Sequence, residues 1–214
     1  MFDPATVIDP LKVMKAFWPD TYFYPQQREI IYSVWNNDET VVPAGNMLGK
    51  DFVTGRIVPV FFLTRQPCRI VTTSAKDDHL RVLWGEIMQA INESKVPLAK
   101  DKGGPLICTH RELRKMYKGN ECPLSYTRGM VASADSLASL QGHHATPQVP
   151  DGIPHTLFVS DESSSVPDEY FRMARTWAHR MLILGNPWDT ANYFYKAVEG
   201  DPSINDPGGD ILAD

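Results

Sequence analysis

Apolar positions along the chain follow two rhythms: short unbroken runs, and stripes spaced three or four residues apart. The runs read as buried strands and the stripes as amphipathic helices. Val7, Ile8, Leu11, Val13, Met14, Phe17 and Trp18 form a loosely helical stripe, with Asp9-Pro10 at its start and Pro19-Asp20 at its end. After the aromatic cluster Tyr22-Phe23-Tyr24, Pro25 opens a helix that runs to about Trp35. Asn36-Asn37-Asp38-Glu39 is a turn, and Thr40 to Pro43 a short strand. The helix after Gly49 carries Phe52, Val53, Ile57, Val58 and Phe61; Gly55 and Pro59 predict a kink or an early end near Pro59. Cys68 to Thr73 is a β-branched strand. Ser74 is placed to cap a helix from about Lys76 to Ile91, with Leu80, Leu83, Trp84, Ile87, Met88 and Ile91 on one face.

The middle of the chain is less regular. Lys100 to Gly104 is an exposed turn and Leu106-Ile107-Cys108 a short strand. Arg111, Arg114, Lys115 and Lys118 form the most basic run, read as a solvated helix face or as a strip facing DNA or a neighbouring subunit. Gly129 to Ala134 is another strand, and Ala145 to Pro154 a Pro-bearing surface loop. Thr156 to Ser160 is a buried run ending in Asp161 and Glu162. Pro167 to Trp177 reads as a helix, Arg180 to Leu184 as a strand, Ala191 to Val198 as a last helix, and residues 200–214 as a linker or disordered tail. Strands alternating with helices predict an α/β domain with a mostly parallel central sheet flanked by helices.

Composition narrows the class. Hydrophobic content of 43% fits a globular chain with a real core, and no apolar run approaches the ~20 residues of a membrane helix. The N-terminus is acidic and lacks the apolar run of a signal peptide. Three cysteines, Cys68, Cys108 and Cys122, have no framework or zinc spacing and read as reduced thiols. A net charge of −5 argues against a surface that grips nucleic acid all over, but leaves room for a local basic strip.

The chemistry centres on Val41 to Phe52. A strand, a Gly-bearing turn and a helix start make a phosphate-binding loop, because helix N-terminal N–H groups and the helix dipole favour an anion. The nucleotide-binding positions are Ala44, Gly45, Asn46, Met47, Leu48, Gly49, Lys50, Asp51 and Phe52, with Lys50 set to reach the β- and γ-phosphates. Against the pattern G-x-x-x-x-G-K-[ST], Ala44 replaces the first Gly and Asp51 replaces the hydroxyl residue that would hold Mg²⁺. Upstream, Gln27 (with Gln26 as the alternative) has the paired donor and acceptor that can read an adenine edge.

The second half of the site is the acid pair. The carboxyl end of a strand in a parallel sheet opens on the ligand crevice. Asp161 is then placed to hold Mg²⁺ through its water shell, and Glu162 to act as general base on the attacking water. Gly185-Asn186-Pro187 ends the next strand, where Asn186 can sense the γ-phosphate region; the same tripeptide is also simply a good turn.

With these residues in place, roughly residues 20–200 resemble the ATPase domain of tailed-bacteriophage terminase large subunits. The resemblance rests on Tyr24-Pro25-Gln26-Gln27-Arg28, Ala44 to Phe52, Leu140-Gln141-Gly142-His143, Phe158 to Glu162, and Gly185-Asn186-Pro187, in that order. It implies a P-loop NTPase fold of the additional-strand, catalytic-glutamate type, over residues 21–199 after a helical lead-in at 1–20. It implies Mg²⁺-dependent ATP hydrolysis that moves double-stranded DNA, a ring of subunits on a portal protein, a small terminase subunit as partner, and a place in the infected host's cytoplasm. A nuclease domain is expected elsewhere, removed from this chain or on another.

The departures carry expectations of their own. Family loops often have Arg near Asn46, and an arginine finger in the stretch held here by Gln141, His143 and His144. Arg128, Arg111, Arg114, Arg172 and Arg175 are the candidate substitutes, since a phosphoryl transition state is stabilised by positioned positive charge. Asp51 is expected to help bind Mg²⁺, directly or through water. Two other readings stand beside the motor: another P-loop or helicase-like ATPase, and a nucleotide-binding scaffold without turnover.

Overall fold

The computed structural model describes residues 8–45, 49–140, 143 and 155–205. Elements in chain order are α1 (Pro10–Phe17), α2 (Pro25–Asn36), β1 (Glu39–Pro43), α3 (Lys50–Leu63), β2 (Arg69–Ser74) and α4 (Asp77–Glu93). Then come β3 (Leu106–Thr109), β4 (Glu112–Tyr117), β5 (Asn120–Val131), α5 (Ala134–Leu140), β6 (Thr156–Asp161), α6 (Asp168–Arg175), β7 (Arg180–Gly185) and α7 (Tyr193–Glu199). The seven strands form one sheet in the order β1-β7-β6-β2-β5-β4-β3. β1, β7, β6, β2 and β5 run parallel, and β4 and β3 extend the sheet antiparallel. β7 therefore stands between β1 and β6, the placement that an additional-strand fold requires.

The central strands are buried almost throughout because both of their faces are covered. Ile70, Leu157, Val159, Leu182 and Leu184 face a core shared with α1 to α4. The alternate residues Val71, Phe158, Met181 and Ile183 face a second core built with α6 and α7. This is the period-two rule of a strand with two buried sides. In α1, Asp9 caps the helix and Met14 is buried; Trp18 follows it and donates its indole N–H to Ala90 O of α4 at 2.8 Å. The lead-in thus shares the main core. Beyond α7, Ile204 packs against the second core, and its carbonyl accepts a bond from Arg175 at 2.7 Å.

Three local expectations fail for identifiable reasons. Of the two expectations at Pro59, a kink or an early end, the early end fails: α3 runs on to Leu63. Every residue from Val53 to Phe62 is buried, and that packing outweighs the roughly 3 kcal/mol cost of an internal Pro. Ser74 does not cap α4, because it is the last residue of β2, and Lys76 takes the cap position. The basic run is not a helix face: Arg114 and Lys115 lie in β4, paired with a β5 that starts at Asn120, well before the expected Gly129. Lys115 is buried, and its Nζ donates to the carbonyls of Phe62 (2.9 Å) and Arg65 at the C-terminal end of α3. An ammonium there complements the helix dipole. Among the described residues, no helix is long and apolar enough to cross a membrane.

α3 and α4 approach closely at Gly55, where a Cβ would stand 2.8–2.9 Å from Glu86 backbone and Cβ atoms. Gly55→Ala is expected to cost roughly 1–3 kcal/mol, as overpacking does, although Ala is the better helix former by about 1 kcal/mol. Thermal unfolding measures it; an unchanged or raised midpoint would contradict the close α3–α4 contact.

Candidate active site

The carboxyl ends of β1, β7, β6 and β2 define one edge of the sheet. α3 begins at that edge because Gly49, at φ 71°, turns the chain through the left-handed region that glycine tolerates. A Cβ on Gly49 would stand 2.8 Å from Gln27 Nε2, so the turn is also packed against that side chain. Gln27 is buried, and its Oε1 accepts the Tyr24 N–H at 3.1 Å. Beside the loop, Ala44 is buried and its N–H donates to Gly185 O at 2.9 Å. Gly45 faces Asn186, whose Oδ1 lies 3.9 Å from the position of a Cβ on Gly45. Asn46, Met47 and Leu48 lie outside the described residues, as do Gln141 and His144.

Lys50, the first residue of α3, is buried. Its Nζ lies 3.1 Å from Asp161 Oδ1 and forms an ion pair with Glu162 Oε1. Residue 50 and the acids 111 and 112 positions later are thus in direct contact. Glu162 adopts a left-handed backbone (φ 50°), uncommon for a residue with a side chain. A 3-10 turn, Ser163–Ser165, follows it at once. Asp51 is partly buried beside the pair, and its Oδ1 accepts no hydrogen bond from the described residues. Asp161 Oδ1 faces the Lys50 ammonium without an aligned hydrogen bond.

The charges perturb one another. Burial alone would lower the Lys50 pKa, but Asp161 and Glu162 outweigh it and the pKa is raised. Burial pushes Asp161 up despite Lys50. Burial, and then the charge of Asp161, push Asp51 up to about 6.

These carboxylates fit a divalent cation. Buried oxygens with spare acceptor capacity are the donors a hard cation takes, and magnesium needs only one or two of them beside water and phosphate oxygens. Among the described residues, no group of three or more His, Cys, Asp or Glu side chains is arranged to hold a metal by itself.

Other expected positions lie elsewhere or already have partners. The Phe52 ring packs under the Arg56 guanidinium at 3.5 Å and beside Phe23, so it serves the core rim. Asn186 is buried at the end of β7, while Pro187 is exposed. His143 sits at the opposite edge of the sheet, between Tyr126 and Trp177, with its Nδ1 2.5 Å from the Tyr126 hydroxyl. Burial, Arg128 and Arg69 lower its pKa to about 4. The arginine candidates are tied within the chain: Arg111 to Asp77 at 2.6 Å, Arg114 to Glu112 and Glu121, Arg128 to Glu112, and Arg175 to Glu39. Arg172 is exposed on α6. Sequence reading passed over Asn192, which caps α7 and donates to Ser164 O at 2.8 Å. An Asn before a helix signals a cap, but not a partner 28 residues away.

A scan against protein-family models finds no match, and a search of curated proteins finds none either. Solved structures do match. A mutant of the Thermus phage P74-26 large terminase ATPase domain aligns with a TM-score of 0.61 and 14% identity, over 91% of this chain and 74% of that one. The same domain without that description aligns at 0.56 and 13%, over 92% and 74%. The HK97 bacteriophage large terminase aligns at 0.59 and 14%, over 90% of this chain and 40% of that one. The fold is thus P-loop NTPase-like. More particularly, it is the fold of the phage large terminase ATPase domain.

The raised Asp51 carboxyl has a pH signature. It holds its proton more tightly folded than unfolded, so stability falls as pH rises from 3.8 to about 6, and the full cost is present above that. Asp51→Asn should raise the melting temperature of the protein alone by roughly 2–4 °C above pH 6, with the difference closing near pH 4. No difference at pH 8 would contradict the burial of a charged Asp51.

Proposed function

We propose that the chain is an ATP-hydrolysing motor domain that drives double-stranded DNA into a viral procapsid. The observation that carries this reading is the meeting of Lys50 with Asp161 and Glu162 at the carboxyl edge of the sheet, at the start of a buried helix. The likeness in fold to large terminase ATPase domains supports it.

In this reading the triphosphate lies at the start of α3, where backbone N–H groups and Lys50 meet its negative charge. Lys50 now pairs with Glu162, and a carboxylate held by an ammonium is a poor base. Phosphate oxygens draw Lys50 away, and Glu162 is then free to take the proton of the attacking water. Asp161, aided by Asp51, would hold Mg²⁺, which when bound screens the phosphate charge. Asn186, beside Gly45 and the end of β7, senses the phosphate end, with Gly185 and Pro187 shaping its turn. Gln27, against Gly49, reads the adenine. The transition state needs a further positive charge, supplied in trans by an arginine of a neighbouring subunit in a ring. Duplex DNA, a portal protein and a small terminase subunit are its partners, in the cytoplasm of the infected host.

A second reading, a nucleotide-binding module without turnover, is favoured by Asp51 standing where a hydroxyl ligand belongs. ATP hydrolysis by the purified chain separates the two. Glu162→Gln should retain ATP binding and lose roughly 10²–10⁴ in turnover, while Lys50→Ala should lose binding. Specific activity should climb steeply with protein concentration, as a trans-acting arginine demands. Binding without turnover at every concentration would overturn the motor and favour the module.

A further inference from the structure

The left-handed Glu162 is held by its surroundings rather than by its own preference. Immediately after it, Ser165 N–H bonds to Glu162 O at 3.0 Å and Val166 N–H to Ser163 O at 3.1 Å. The fully buried Ser163 donates its hydroxyl to Ser160 O at 3.0 Å and to Ser160 Oγ at 2.8 Å, tying the turn back to β6. From the other side, Gly185 presses on the same turn: a Cβ there would stand 2.9 Å from Ser163 N and 3.4 Å from Ser164 N. The last tie is Asn192. Its Nδ2 donates to Ser164 O at 2.8 Å, and its Oδ1 accepts Tyr195 N–H at 2.9 Å. Asp168 Oδ1 accepts the adjacent Tyr193 N–H at 2.8 Å and fixes the start of α7 to α6.

We infer that Asn192 is a positioning residue for Glu162: through Ser164 it holds the turn that keeps the Glu162 backbone left-handed and its carboxylate aimed at the Lys50 pocket. The inference rests on the function proposed above. It also gives the segment between β7 and α7 a role. That segment begins at Asn186, beside Gly45 of the phosphate loop, and ends at Asn192, behind the catalytic turn. A shift at the phosphate end is thereby passed to the base without any contact between Asn192 and the substrate.

The amide has two separable jobs. Capping α7 needs only an acceptor, which Asp and Ser also provide. Holding Ser164 O needs a donor at the reach of the Asn amide. Asp has none when ionised, and Ser falls short while capping. Asn192→Asp and Asn192→Ser should therefore keep the melting temperature and the affinity for a non-hydrolysable ATP analogue. Both should lose roughly 10- to 100-fold in kcat, the scale of a misplaced reacting group. Wild-type turnover in either variant would overturn the inference. So would a fall in analogue affinity and melting temperature that parallels the fall in kcat, since that is the mark of general damage. If the unaltered chain itself hydrolyses no ATP, the parent reading fails first and takes this inference with it; intact wild-type hydrolysis with unaffected variants sinks the inference alone.

Discussion

A buried ammonium at the start of a helix is an electrostatic problem. The Lys50 charge sits at the positive end of the α3 dipole and is nearly out of reach of water. Only negative charge brought from elsewhere makes that position tenable, and β6 brings it as Asp161 and Glu162. Asp51 adds a third carboxylate to the neighbourhood, and its pKa is raised to about 6 by burial first and by the charge of Asp161 second. In the function proposed above, such a site takes a cation and a polyanion that arrive together. The buried pair is a weak source of stability in itself, since desolvation offsets much of what such pairs gain.

Sheet order makes that meeting possible. β1 delivers the loop and β6 the acids, and the strand between them, β7, is the common wall. Its last residue accepts the Ala44 N–H on one side and lies against the turn after Glu162 on the other. The second contact leaves no room for a Cβ, which explains a glycine at 185. At the far end of α3, Lys115 closes the carbonyls, so the antiparallel extension is anchored to the helix that begins the site.

Much of this was legible in the sequence, for a physical reason. Strands buried on both faces are rich in apolar and β-branched residues on both, so Arg69–Ser74, Thr156–Asp161 and Arg180–Gly185 stand out as runs. Parallel strands then open at one edge, which is why Lys50 and the acids could be expected to meet. The outer sheet was harder to read. β4 carries the adjacent basic pair Arg114-Lys115, which breaks a strand's alternation and suggested a solvated helix, whereas Lys115 bonds main-chain carbonyls 50 and more residues away. Pro59 misled because local propensity carries no information on how deeply α3 is buried. The Arg111–Asp77 and Arg175–Glu39 pairs and the Asn192–Ser164 bond are long-range, and no local pattern encodes them.

The central claim is that Lys50 and the Asp161–Glu162 pair serve one metal–triphosphate. A crystal structure of the chain with Mn²⁺ and a non-hydrolysable ATP analogue, phased to locate manganese by its anomalous scattering, tests it most directly. The account predicts the manganese peak within water-bridged reach of Asp161, the γ-phosphate on Lys50 Nζ, and Glu162 released from the lysine. A triphosphate bound away from the α3 start, or manganese held by other residues while Lys50 stays on Glu162, would contradict it.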